Sequence, residues 1–323
     1  MRIAYFLVPR LLVAALTIFG VSLLVFISLR LIPGEYADII LGPFVSPEMR
    51  AMLSSKYGLN DPIVIQFFKW FGALLTGDFG VSMATNKPVL DEMLRRAPVT
   101  AQLACMTLIL AVGIGFPLGL RSGLSASAKA GRGSGGRLVG AMGASVPDFV
   151  IGSALIFIFS KWSLGLKVGG YVPLSEGVFE NLKTMVLPTI SLSVFGIALI
   201  LRTTRDSVLR TMTEGHILAA IGRGEPPARI VQHHVVKNAA IPIVTVVATY
   251  FGFLLGGTVI AEVLFSIPGI GYYIFSSLEE RDYAVVQAGV MLAAFVFVFL
   301  NMLADLTYAL LDPRIGSTKS KTS

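Results

Sequence analysis

LLVAALTIFGVSLLVFISLRL, residues 11–31, is the stretch on which the fold turns. Its one charge, Arg30, stands beside its far end. As a helix rising 1.5 Å per residue, a run of this length covers the ~30 Å hydrocarbon core of a bilayer. Arg2 and Arg10 precede it, as in a secretory signal peptide. The run exceeds the roughly 7–15-residue apolar core of such a peptide, and no small-residue cleavage site follows. It is therefore expected to remain as a first membrane helix. A lone strand in lipid would leave its backbone groups unpaired, so helix is the expected element.

Similar apolar runs recur outward from it. The candidate spans are 9–31, 98–120, 138–161, 186–204, 240–264 and 286–311. The fourth is the most diluted: Pro188 opens it, and Thr189, Ser191 and Ser193 follow. Over all 323 residues, 54% are hydrophobic, 14% are charged, and mean hydropathy is +0.78. A soluble domain carries about 25% charged residues, so this chain is built for a non-aqueous solvent. The net charge of +7 does not point to nucleic acid. The basic residues sit in short loops between apolar runs, with no aromatic interleaving. Cys105 is the only cysteine, so no disulfide can form within the chain; in an apolar run it reads as a small buried hydrophobe.

Loop charge sets the expected orientation. Arg121, Lys129, Arg132 and Arg137 fall between spans two and three. Arg205, Arg210, Arg223, Arg229 and Lys237 follow span four, and Arg314, Lys319 and Lys321 end the chain. The alternate short loops hold only Lys167 and Lys183 in one and Arg281 in the other. Lysine and arginine concentrate on the cytoplasmic side, so both termini are expected inside. The expected organisation is an N-terminal membrane helix in 1–32, an outside segment in 33–97, a five-helix core in 98–314 and a cytoplasmic tail in 315–323. The outside segment should be structured. Ser46-Pro47-Glu48 starts a helix, Ile63 to Leu75 is apolar and aromatic, and Leu90 to Leu94 forms a short amphipathic helix.

Signatures of chemistry are weak. Gly131-Arg132-Gly133-Ser134-Gly135-Gly136-Arg137 has the glycine spacing of a phosphate-binding loop. Arg137 replaces its lysine and Leu138 its hydroxyl, so it reads as a linker and the chain is expected to bind no ATP. Adjacent His233 and His234 point to different sides of a helix and make a poor metal pair. They, with His216, read as solvated loop residues. No serine has the setting of an intramembrane nucleophile, and Gly269-Ile270-Gly271 lacks the aspartate of an intramembrane protease.

The segment 205–239 is the most informative. Ile217-Leu218-Ala219-Ala220-Ile221 forms a short helix of small and apolar residues, which Gly224 can end with a positive backbone angle. Pro226-Pro227 start a second helix. Such a hairpin suits docking into a groove on another protein, with an amphipathic loop on the membrane as the plainer reading. Polar residues within the spans are pathway candidates. Asp148 follows Pro147 near mid-depth of span three; it either lines a transport site or caps a helix that re-forms there. Asn301, Asp305 and Tyr308 share one face of span six, where hydrogen bonding between helices is the expected role.

The 205–239 segment resembles the E-A-A-x-x-x-G coupling loop of ABC importer permeases. Ala219, Ala220 and Gly224 fall on the alanines and the glycine, while Leu218 stands at the glutamate position and Pro226-Pro227 depart from the pattern. Gly58-Leu59-Asn60-Asp61-Pro62, Gln66, Trp70, Gly77-Asp78-Phe79-Gly80, Ser82, Pro88-Val89 and Pro98-Val99-Thr100 are similar to the B-type permeases of the dipeptide, oligopeptide and nickel branch. So are Glu262, Phe265, Pro268-Gly269-Ile270-Gly271, Arg281-Asp282-Tyr283, Gln287 and Leu311-Asp312-Pro313-Arg314. The resemblance covers essentially the whole chain. It implies an all-α membrane protein of the type I importer permease fold, with six transmembrane helices. Glu262, Pro268, Gly269 and Gly271 would then lie toward the periplasmic side. The implied partners are a second, non-identical permease, two ATPases that carry ATP and magnesium, and a periplasmic solute-binding protein. The resemblance also implies a pore for peptides or similar small solutes in a bacterial inner membrane. An ion-coupled secondary transporter is the rival, and it would need repeated halves and mid-membrane carboxylates. A membrane enzyme is the second rival.

Overall fold

A computed structural model describes residues 2–31, 60–128, 145–162 and 165–311, with a few positions between 46 and 52 and Gly143. The expected helix start at Ser46-Pro47-Glu48, most of the 121–137 loop, the first turns of span three and the tail 315–323 lie largely or wholly outside them. Among the described residues every regular element is helical, and Val81 and Pro88 form one isolated antiparallel bridge. The helices are α1 (Arg2–Arg30), α2 (Ile63–Leu75), α3 (Val89–Ala128), α4 (Asp148–Lys161), α5 (Val178–Met212), α6 (Gly215–Gly222), α7 (Pro227–Arg229), α8 (Val236–Gly257), α9 (Val259–Leu264), α10 (Ile270–Glu279) and α11 (Tyr283–Leu311).

Four of these contain stretches long and apolar enough to cross a membrane: Val8–Arg30, Val89–Ser127, Val178–Met212 and Tyr283–Leu303. Pro227–Ala240 and Pro242–Gly256 are apolar enough together to make a fifth crossing if the pair is one span; they are bent by 47° at the proline that interrupts the backbone ladder. Two expected boundaries are corrected. Pro188 does not open its helix but lies ten residues inside the 35-residue α5. There Thr189, Ser191 and Ser193 are buried against protein rather than diluting a lipid face. Ser193 Oγ donates to its own helix at Ile190 O (3.0 Å), so its hydroxyl is satisfied without water. The amphipathic turn at Leu90–Leu94 is no separate helix either; α3 runs through Pro98 for 40 residues. Cys105 is exposed rather than buried, near exposed Ile109 on the same helix.

The chain divides into two compact units. The first takes Met1–Val99 with Pro268–Val298, the second Thr100–Ile267 with Phe299–Ser323. In the first, α2 packs on α1 through aromatic rings: Phe67 meets Phe19 and Phe26 edge-on, at 5.7 and 5.2 Å between centroids. Arg30 lies 3.5 Å over the Phe26 ring and bonds Gln66. A second core joins α3, α10 and α11 through Val89, Met93, Tyr273, Val285 and Ala288. Buried Asp282 anchors the Val81–Pro88 turn by accepting from Ser82 Oγ (2.5 Å) and Ala84 N (3.3 Å).

In the second unit, α3 and α5 touch along a seam of glycines. A Cβ on Gly115 would stand 2.9 Å from Ile197 O, and one on Gly119 would stand 2.6 Å from Leu201 O. One on Gly123 would stand 2.8 Å from Val208. The four-residue spacing puts all three on one helix face, the small-xxx-small arrangement by which helices approach closely in lipid.

Candidate functional site

Two places in the second unit carry the chemistry. The first is the hairpin after α5. Helix α6 ends in a Schellman turn: Gly224 N–H donates to Ile221 O (2.9 Å) and Glu225 N–H to Ala220 O (3.2 Å). Gly224 sits at φ +74°, where a side chain is strained. Pro226 and Pro227 then occupy the cap and first position of α7. A π-helical turn, Ile230–Val235, carries the chain straight into α8, so the second arm of the hairpin is continuous with a membrane helix.

Both alanines were expected on the docking face, and here the two part. Ala220 is fully buried with Ile217, among Val208, Ile230, Val235 and Ala239. Ala219 is exposed, beside Leu218 (61% exposed) and Ile221 (52%). Ala220 therefore fastens the hairpin to its own chain. The outward apolar face is Leu218, Ala219, Ile221 and Gly222.

Of the three histidines His233 is exposed, as expected, while His216 and His234 have acidic partners. His234 Nε2 lies 3.1 Å from Glu225 Oε2, and His216 Nδ1 lies 3.2 Å from Glu214 Oε2. Asn238 Nδ2 lies 3.3 Å from His216 Nε2. Arg223 donates to Glu225 (2.7 Å), and this bond, then that from His234, holds the Glu225 carboxyl below its ordinary range. The cluster ties the turn to the second arm. Among the described residues no group of histidines, cysteines or acids is arranged to hold a metal.

The second place is a cavity of about 230 Å³ lined by Ser145, Val146, Pro147, Asp148, Leu192, Phe195, Tyr250, Phe253 and Leu254. Pro147 caps α4 and Asp148 is its first residue, with Oδ1 accepting from Phe149 N–H at 2.8 Å. Asp148 thus starts a helix and also lines this cavity. Ser191 Oγ donates to Asp148 O (2.6 Å), fixing α4 to α5. Tyr250 donates to Leu192 O (2.8 Å), and its ring lies against Gly196, where a Cβ would fall 2.3 Å from a ring carbon. Gly196 makes room for the ring.

The remaining candidates are dispersed. Glu262 is fully buried on α9, and its Oε1 accepts from Thr100 and Thr258, both at 2.8 Å. Pro268, Gly269 and Gly271 belong to the other unit; Gly269 caps α10, and Gly271 is buried within it. Asn301 is half-buried on α11, and the side chains of Asp305 and Tyr308 lie outside the described residues. The glycine seam was not singled out from the sequence, although the spacing of Gly115, Gly119 and Gly123 was there to be read. Phe195, Tyr250 and Phe253 had no local signal.

Residues 115–317 match the family described as binding-protein-dependent transport system inner membrane component. Residues 3–104 match its N-terminal region. The chain belongs to this family, and it is a permease subunit of an ABC importer rather than an enzyme. It is 37% identical to a probable peptide ABC transporter permease protein, y4tP, of Sinorhizobium fredii, over 91% of this chain and 94% of that one. It is 33% identical to the dipeptide transport system permease protein DppB of Escherichia coli K12, over 97% and 99%. It is 31% identical to the glutathione transport system permease protein GsiC of the same strain, over 96% and 98%. Its fold is shared with the inward-facing MetNI methionine ABC transporter, at a TM-score of 0.56 and 16% identity, covering 70% of this chain and 98% of that one.

Proposed function

We propose that this permease, paired with a second, non-identical permease, forms the pore of a bacterial importer for peptides or closely related small solutes. A periplasmic binding protein delivers the solute, and two partner ATPases bind ATP and magnesium; this chain binds none. It crosses the inner membrane six times, with α4 in the third crossing, the region before α3 outside and both termini inside. The names of the relatives, all peptide, dipeptide or glutathione permeases, support the substrate class. An ion-coupled mechanism has no comparable support.

One observation carries the coupling role: the exposed apolar face Leu218, Ala219, Ile221 and Gly222 on a helix locked from behind by Ala220 and ended by Gly224. A rigid helix presenting small and apolar side chains docks into a groove on a partner. ATP-driven movements of that partner then bias which side of the pore is open. Ala219→Trp should leave membrane insertion and capture of the loaded binding protein intact. It should abolish uptake and solute-stimulated ATPase activity together. Arg223→Gln, which removes one exposed ion pair, should do little. A correctly inserted Ala219→Trp permease that transports at the wild-type rate would show that this face is not the coupling surface.

A further inference from the structure

We propose that the cavity walled by Pro147, Asp148, Phe195, Tyr250 and Phe253 receives the cationic amino end of the solute in transit, with the Asp148 carboxylate as its counter-ion. The inference rests on the peptide reading above and names the chemical group recognised.

Asp148 is half-buried, and no cation among the described residues pairs with it. Among the described residues its side chain accepts the short-range bond from Phe149 N–H to Oδ1. The position is deep. Along the 14 residues of α4 the chain rises ~20 Å from Asp148 to Lys161. Lys161 then lies over the Trp162 ring at 5.2 Å, the pairing of an aromatic with a long cation that marks a membrane interface. An ionisable side chain some 20 Å below that level is costly unless something pairs with it, and such residues mark substrate pathways.

The walls fit an ammonium group. Phe195 stands 6.1 Å from Tyr250 and 6.5 Å from Phe253 between ring centroids. Tyr250 spends its hydroxyl on Leu192 O, so it offers the cavity a ring rather than a donor. Aromatic faces attract a cation within about 6 Å of the centroid. A divalent metal fits poorly, since it would want several oxygen ligands and the side chains here supply one carboxylate. The volume of about 230 Å³ falls below the roughly 300–1,000 Å³ of sites that enclose a whole ligand, so the cavity takes one end of the solute.

The complete importer in nanodiscs provides the test. The probes are alanyl-p-benzoylphenylalanine, its N-acetyl form and 4-(aminomethyl)benzophenone, photocross-linked and mapped by mass spectrometry. The free-amine dipeptide should label 145–149, 192–195 or 250–254, and the acetylated form at least tenfold less. Asp148→Asn keeps an acceptor for Phe149 N–H, so the start of α4 survives. It should lower both free-amine labelling and uptake of alanylphenylalanine into proteoliposomes at least tenfold, while Asp148→Glu retains most of both. Equal labelling by the acetylated probe overturns the subsite. So does wild-type uptake by Asp148→Asn, or a loss that is equal for both dipeptide probes, which would mark a purely structural role. An importer that takes up no peptide overturns the peptide reading. The subsite is then decided by 4-(aminomethyl)benzophenone, whose labelling must still depend on Asp148.

Discussion

At the scale of single residues, glycines do unlike jobs in this chain. Gly224 is needed for its backbone angle, at φ +74° with no neighbour within 4 Å of an added Cβ. Gly196 is needed for its missing side chain. A methyl group there would strike the buried Tyr250 ring at 2.3–2.7 Å, and the ring could yield only by giving up its hydrogen bond to Leu192 O. Gly196→Ala should therefore destabilise the purified permease by about 1–3 kcal/mol, the scale of a buried polar group left without its partner. It should also open the cavity wall. Thermal unfolding in detergent reads the first, and an unchanged midpoint would mean that the ring moves without cost. Gly113, by contrast, has nothing within 4 Å, and Gly113→Ala should be neutral to stabilising, by up to about 1 kcal/mol.

At the scale of elements, α3 and α5 approach backbone to backbone along the glycine seam. At Gly119 an added Cβ meets backbone, Leu201 O at 2.6 Å, as well as Thr204 Cβ at 2.7 Å. A rotamer change cannot relieve a clash with backbone, so the helices themselves must part. Gly119→Leu should cost about 3 kcal/mol or more, at or beyond the upper end of overpacking. It should be seen as loss of folded protein from the membrane fraction. Normal yield and stability would refute the seam's importance. The spans were legible because long apolar runs leave few alternatives in lipid. Their ends were less so: Thr189 and Ser191 read as polar dilution, and only the fold shows that they face protein. The inward face of α6 was illegible for a similar reason. Ile217, Leu218, Ala219, Ala220 and Ile221 are all apolar, so no periodicity separates Ala220 from Ala219. The cavity joins residues near 148, 195 and 250, and no local pattern links such distant segments.

At the scale of the molecule, the lysine and arginine asymmetry makes a prediction independent of any contact. A periplasmic reporter fused after Asn86, in the exposed turn held by Asp282, should be active. One fused after Gly131 should be inactive, and a cytoplasmic reporter should give the reverse pattern. The opposite result at either site would overturn the orientation and, with it, the placing of the hairpin beside the ATPases. Unlike the hairpin, whose turn glycine and prolines announce themselves, orientation is written only in charge counts spread over the whole chain.

Helix α5 also has a mechanical property. From Leu192 to Met212 it holds no proline, so the cavity wall and the root of the hairpin lie on one stiff beam. The glycine seam bears on that beam between them, at Ile197 to Val208. A see-saw results. With its fulcrum near Leu201, a tilt of ~5° swings Met212, ~17 Å away, by ~1.4 Å, and swings Leu192, ~14 Å away, by ~1.2 Å the other way. Shifts of one to two ångströms are the size by which packed helices switch between states. Were α5 to pivot there, a push on the hairpin would reach the cavity with its direction reversed and its amplitude nearly preserved.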